Sequence, residues 1–202
     1  MINGNRKLNY LFPTPLFQSK IIPEISWLEY IKGISYERVG NGWMSSSKDL
    51  LKEPPLSELL EKLTDEAKYF SQQELRILPT ISVDFIRSWS MKHVKGDWAQ
   101  NHCHTNSILS GIYYLDVFEN SGELCFEKGT GNPSCFSTTL QPDLSEFVPC
   151  TSNWHTHYPE VGDLLIFPSH LMHSVTPNNT NRDRYCISFD IFYRGNISGI
   201  VI

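Results

Sequence analysis

From residue 80 onward the chain becomes a series of short apolar-alternating runs separated by turn residues, and nothing else constrains its fold as strongly. Ile81 to Val94 sets Val83, Phe85, Trp89 and Met91 against polar or charged neighbours, the period of a half-buried strand. Ser107 to Phe118 is β-rich and stops at the turn Glu119-Asn120-Ser121-Gly122, after which Glu123 to Glu127 forms the next strand. Trp154 to Tyr158, Asp163 to Phe167 and Tyr185 to Tyr193 complete a set of about seven or eight strands, enough for two packed antiparallel sheets.

The preceding part has a different texture. Leu11 to Phe17 carries Pro13 and Pro15 and reads as an extended edge segment, since proline lacks the donor a sheet ladder needs. Pro23 to Lys32 places Ile25, Leu28 and Ile31 at helical spacing before Gly33, a short helix with a glycine stop. Gly40 to Ser47 reads as loop. Pro54 and Pro55 then open the clearest helix, Leu56 to about Gln73, with Leu56, Leu59, Leu60, Leu63, Ala67 and Phe70 on one face. The expected fold class is therefore mainly β with N-terminal helices (α+β), a cupin-like jelly roll or double-stranded β-helix. Residues 1–79 form a helical and extended buttress and residues 80–202 the β core, within one structural domain.

At 202 residues, 40% hydrophobic and 19% charged, the chain can bury a real core and is not of disordered composition. A net charge of −5 with scattered basic residues gives no general attraction to nucleic acid or anionic membrane. Five cysteines without a CxxC pair favour reduced thiols. Met1 to Tyr10 is polar, so no signal peptide is expected, and no run is long enough for a transmembrane helix. A cytoplasmic protein is expected, in the host cytoplasm if phage-encoded. The Asn178 and Asn196 sequons are then chance matches. Residues 128–152, rich in Gly, Pro, Ser and Thr, read as a long loop of the kind that shapes substrate access.

The chemistry centres on His102-Cys-His104, His173 and Arg184. Imidazoles two apart on a strand share a face, and a third from another strand would complete a facial set of metal ligands. A guanidinium clamps a carboxylate bidentately, so Arg184 is a candidate for an anionic co-substrate, with a surface salt bridge as its bland alternative. A second pair, His155 and His157, leads into a tight turn and reads as a surface-strand pair. His170 and His173 lie in a constrained loop after Pro168, with His170 taken as a surface histidine and Arg182 as solvated.

These residues carry a resemblance to the 2-oxoglutarate and Fe(II)-dependent oxygenase superfamily, and within it to a small family seen in bacteria and their phages. The matching stretches are Leu11-Phe-Pro-Thr-Pro-Leu, Ser88-Trp89, His102-Cys-His104, Leu109-Ser-Gly-Ile-Tyr-Tyr-Leu115, Gly162-Asp-Leu-Leu-Ile-Phe-Pro-Ser169, and His173 with Arg184 and Ser188-Phe189. The resemblance implies His102 and His173 as iron ligands and Arg184 as the residue binding the distal carboxylate of 2-oxoglutarate. His104 falls where most of the superfamily has Asp or Glu. It is either a third imidazole ligand or stands aside for water; in a competing register His104 is the proximal ligand and Asn106 fills the acidic slot. The first register is preferred because the family pattern carries both histidines. Cys186 stands where relatives often have serine in Arg-x-Ser. Tyr113, Tyr114 and Trp98 are aromatic residues near the metal strands, ordinarily core-packing, and Tyr114 is carried forward as a co-substrate contact.

The implied activity is a 2-oxoglutarate-dependent non-haem iron dioxygenase. It would use Fe(II), 2-oxoglutarate and O2 to oxidise, most simply to hydroxylate, a small-molecule or peptide substrate that the sequence does not specify. A membrane partner is not expected, nor is nucleic acid, and a homo-oligomer is compatible, with Leu11 to Leu16 available for pairing. Two rivals stand beside it: a three-His cupin-type dioxygenase without 2-oxoglutarate, and a non-catalytic jelly-roll binding module.

Overall fold

The computed structural model describes residues 7–129, 142–197 and 199–201. The N-terminal part supplies β1 (Phe17–Lys20), α1 (Ile25–Gly33), β2 (Tyr36–Val39), β3 (Gly42–Ser45) and α2 (Ser57–Tyr69). The remainder supplies β4 (Ser82–His93), β5 (Ala99–His102), β6 (Leu109–Asp116), β7 (Leu124–Glu127), β8 (Trp154–His157), β9 (Asp163–Pro168), β10 (Met172–Val175) and β11 (Arg184–Arg194). A seven-stranded sheet runs in the order β1-β9-β6-β11-β4-β3-β2 and a four-stranded sheet in the order β5-β10-β7-β8. The pairing between these strands is antiparallel. The two sheets face each other as a double-stranded β-helix, with the helices on the outer face of the larger one.

Strand parity explains how one apolar sequence serves two cores, because successive side chains leave a strand on opposite faces. On β11, Tyr185, Ile187, Phe189, Ile191 and Tyr193 pack toward Trp27, Ile31, Leu59, Leu63 and Ala67 of the helices. Cys186 points the other way and joins Ile112, Tyr114, Leu124, Phe126, Leu165, Phe167 and Val175 between the sheets. Arg184, Ser188 and Asp190 share that inward parity, so the central strand of the large sheet carries its polar residues into the inter-sheet space. Gly111 permits this packing: a Cβ there would stand 2.3 Å from the Phe189 ring and 2.9 Å from the Leu165 carbonyl.

Two expectations about elements are corrected. Gly40 to Ser47 is not simply loop, because β2 and β3 form a hairpin whose connection is Gly40-Asn41, with Gly40 at φ +57. A two-residue Gly-Asn connection is itself a hairpin signal. His173 lies on a strand rather than in a loop: β10 is paired on both sides, by β5 and by β7. Four residues are too few to show a period, so only pairing reveals the strand. The long-loop expectation over 128–152 falls in large part on 130–141, outside the described residues, as does most of the polar start of the chain. Among the described residues no helix is long and apolar enough to cross a membrane.

Candidate metal centre

His102, the last residue of β5, is in register with His173 on β10, which in turn opposes Phe126 on β7 and, through it, His155 on β8. Cross-strand partners share a face, so this row points into the inter-sheet space. His104 lies beyond the end of β5, and its backbone N–H donates to the Ser169 carbonyl at 2.8 Å. The two rings still stack, with centroids 5.4 Å apart and planes 25° apart. His102, His104 and His173 each offer a ligand atom within 4.8 Å of the others. Asn106, the alternative occupant of the acidic slot, is exposed, as is His170.

The tautomers follow from what each Nδ1 meets. His102 Nδ1 faces the Gln100 carbonyl at 2.8 Å and His173 Nδ1 the Leu171 carbonyl at 2.8 Å. His104 Nδ1 faces Asp190 Oδ1 at 2.5 Å. Carbonyls and carboxylates only accept, so each Nδ1 carries its hydrogen and each Nε2 keeps a lone pair for a metal. Burial holds His173 down at about 4, with the Leu171 carbonyl pulling the other way, so its ring is neutral as a ligand must be.

Asp190 was not anticipated from the sequence. It is 6% exposed, and its Oδ1 also accepts from Ser110 at 2.8 Å and Ser107 at 3.3 Å. Burial pushes its carboxyl up, but the hydrogen bond and charge of His104 and the two hydroxyls outweigh that, leaving it below the usual carboxylate value. The signal that could have found it is parity: Asp190 stands on the same strand and the same face as Arg184.

Arg184 occupies the opposite end of that face, 1% exposed. Its Nη1 donates to His93 Nδ1 at 3.2 Å and its guanidinium lies 5.2 Å from the Tyr114 ring centroid. Nε and Nη2 are buried without a hydrogen-bond partner, and so is the Tyr114 hydroxyl. Burial raises the Tyr114 pKa, with Arg184 pulling partly back, so the phenol stays a donor. Buried polar groups are ordinarily satisfied. Three orphaned donors beside a guanidinium with no carboxylate partner therefore describe a receptacle for an anion, and the bland salt-bridge reading does not hold. The donors fit the distal carboxylate of 2-oxoglutarate, and the three free Nε2 atoms fit a divalent iron. Cys186, buried with its thiol pushed up by desolvation, makes the wall between the two ends apolar.

His93, unforeseen in the sequence, braces Arg184. It is 3% exposed, and burial followed by the Arg184 charge holds it down at about 3. A Cβ on Gly42 would stand 2.8 Å from its ring, so a glycine in β3 makes room for it. Asn178 ties this corner together, donating to the His93 carbonyl at 2.9 Å and the Arg182 carbonyl at 2.8 Å. Being fully buried, its sequon is structural, whereas Asn196 is exposed. The surface-pair reading of His155 and His157 is corrected in part. His155 is exposed, but His157 is 9% exposed, with Nε2 3.1 Å from Asp163 Oδ2, because register with Leu124 turns it inward. Trp98 is exposed rather than packed in the core, whereas Tyr113 and Tyr114 are fully buried. Arg182 is exposed, its guanidinium resting on the Phe118 ring.

A family model described as "Putative 2OG-Fe(II) oxygenase" matches residues 87–190, just over half the chain. Among solved structures the chain is similar to a Pseudomonas putida prolyl-4-hydroxylase at 12% identity and TM-score 0.58, over 90% of this chain and 94% of that one. It is similar to HygX from Streptomyces hygroscopicus, solved with nickel and 2-oxoglutarate, at 14% identity and TM-score 0.60, over 89% and 83%. The epimerase SnoN from nogalamycin biosynthesis matches at 14% identity and TM-score 0.63, over 89% and 76%. No curated protein sequence matches. The structural likenesses establish the double-stranded β-helix fold, and the family match extends from the strand before His102 to the strand bearing Arg184. The chain belongs to the 2OG-Fe(II) oxygenase family and is an Fe(II)- and 2-oxoglutarate-dependent oxygenase.

Proposed function

We propose that His102, His104 and His173 hold the iron through Nε2, and that Arg184 and Tyr114 hold the distal carboxylate of 2-oxoglutarate. The observation that carries this assignment is a single inward face bearing three imidazoles of fixed tautomer near one end and a buried guanidinium with two orphaned donors at the other. The orphaned donors favour it over a three-His dioxygenase without co-substrate.

Iron and 2-oxoglutarate together supply the O2-dependent oxidation when bound. The protein positions and excludes. Arg184 and Tyr114 orient the co-substrate, and His93 and Asn178 keep Arg184 from swinging away. Ile112, Leu165, Phe167 and Cys186 line the wall and keep water from the reacting centre. His155, on the same cross-strand row as the metal histidines and open to solvent, is placed to touch the primary substrate at the mouth.

That substrate is a small molecule or peptide whose product is a hydroxylated form, and the net charge of −5 speaks against nucleic acid. Cys103, Cys125, Cys150 and Cys186 are free thiols, which supports a reducing, cytoplasmic setting. Anaerobic addition of Fe(II) and then 2-oxoglutarate to metal-free protein should produce a weak visible charge-transfer band. Admission of O2 should then yield succinate. Metal-loaded protein giving neither band nor succinate would refute the assignment.

A further inference from the structure

The superfamily pattern puts a carboxylate beside two histidines on the metal, and this chain has His104 at that position. A carboxylate is nevertheless present one atom further out. Asp190 Oδ1 stands 2.5 Å from His104 Nδ1, on the side of the ring away from the Nε2 that the metal would take. Asp190 is almost fully buried, yet among the described residues no Lys or Arg nitrogen lies within 4.0 Å of it; its one ionisable partner is His104. An isolated buried carboxylate is costly unless some positive charge compensates it. Arg87, directly across the strand pair, turns its guanidinium onto the Trp89 ring instead.

We infer that Asp190 is the displaced carboxylate of the metal site: it acts through His104, supplying to the iron from the second sphere the negative charge that other members supply as a ligand. The inference rests on the reading that His104 binds iron, and it assigns a positioning residue rather than a catalytic one. The physical basis is the acceptor role of Asp190. By taking the Nδ1 hydrogen bond it fixes the tautomer, orients the ring and makes Nε2 a stronger donor. The three serines hold the carboxylate in register. Ser110 bonds Asp190 at 2.8 Å and Ser169 at 2.9 Å, Ser107 bonds Ser169 at 2.8 Å, and the Ser169 carbonyl receives the His104 N–H. Side chain and backbone of His104 are thus held by one cluster. Strand β11 consequently addresses both ends of the site, with Arg184 for the co-substrate and Asp190 for the metal.

The test uses metal-free full chain and anaerobic competition titrations with Fe(II) and Co(II). Asp190→Asn keeps an acceptor oxygen and removes the charge, and should weaken both metals roughly 10- to 100-fold. The His104→Asp/Asp190→Asn double variant returns one carboxylate to the site at unchanged carboxylate count, and should bind Fe(II) more tightly than Asp190→Asn alone. An independent measurement on the unaltered protein guards against a variant that fails to fold. Its Co(II) form should show three exchangeable, hyperfine-shifted imidazole N–H resonances, and finding only two would overturn the inference. So would Asp190→Asn binding both metals with unaltered affinity, or a double variant no better than the single one. If the unaltered protein gives no charge-transfer band with Fe(II) and 2-oxoglutarate, the underlying site assignment has failed. If the band is present and Asp190→Asn changes nothing, only the role of Asp190 has failed.

Discussion

Replacing Arg184 by Met should separate stability from co-substrate binding, because the two respond with opposite signs. In the metal-free protein the guanidinium is 1% exposed, with Nε and Nη2 unpartnered. Each buried unsatisfied donor costs about 1–3 kcal/mol. Set against that are the Nη1 bond to His93 at 3.2 Å and the stacking on Tyr114, together about 1–3 kcal/mol. Methionine is of similar length, fills the space and introduces no donor. The variant without metal should therefore be as stable as the parent or more so by up to about 3 kcal/mol. A Tm unchanged or raised by roughly 2–4 °C per kcal/mol is the expected readout. A structural ion-pair arginine behaves oppositely, losing about 3–5 kcal/mol on truncation of its partner. Binding should collapse. Losing one member of a buried charge pair costs about 2–5 kcal/mol, so 2-oxoglutarate affinity should fall roughly 30- to 5,000-fold. Anaerobic titration of the visible band measures the second quantity and calorimetry of the chelated protein the first. A large drop in Tm with unaltered 2-oxoglutarate affinity would show that Arg184 is a structural residue and that the anion receptacle is misread.

Tyr114→Phe removes an orphaned hydroxyl, so it should leave the metal-free Tm unchanged or slightly higher while weakening 2-oxoglutarate by about 5- to 10-fold, the worth of one hydrogen bond. His93 has a folded pKa of about 3 against an ordinary 6.5, so only the unfolded chain takes up its proton between those values. Its contribution is fully present above pH 6.5 and is lost as pH falls toward about 3, at about 1.4 kcal/mol per pH unit. Urea denaturation of chelated protein between pH 6 and 4 should show a slope shallower by about one proton in His93→Gln, and an identical slope would contradict the buried neutral ring. Gly111→Ala forces a methyl against the Phe189 ring and the Leu165 carbonyl and should cost about 1–3 kcal/mol of stability, read as a lowered urea midpoint at unchanged slope.

The strands were legible where they were long. Ile81 to Val94 and Tyr185 to Tyr193 show their period over many residues, and they became β4 and β11, the pair at the heart of the large sheet. Short elements were not. Ala99–His102 and Met172–Val175 have four residues each, and only their pairing with each other and with β7 makes them strands. The Gly40-Asn41 connection was legible in principle, since it joins two runs by a two-residue turn, but the flanking residues are polar because the outer strands of the sheet are largely open to solvent.

The same division holds at the site. Residue type and spacing alone bring out His102, His104, His173 and Arg184, because metal ligation and anion binding each demand one of a few side chains and a strand offers them at even intervals. Sequence could also have shown that Arg184 and Asp190 share a face, since parity is local. It could not show that Asp190 stands behind His104, that His93 braces Arg184, or that His155 joins the row of metal histidines. Those contacts depend on which strands become neighbours and in what register, and register is decided by burial and pairing summed over both sheets rather than by any one segment.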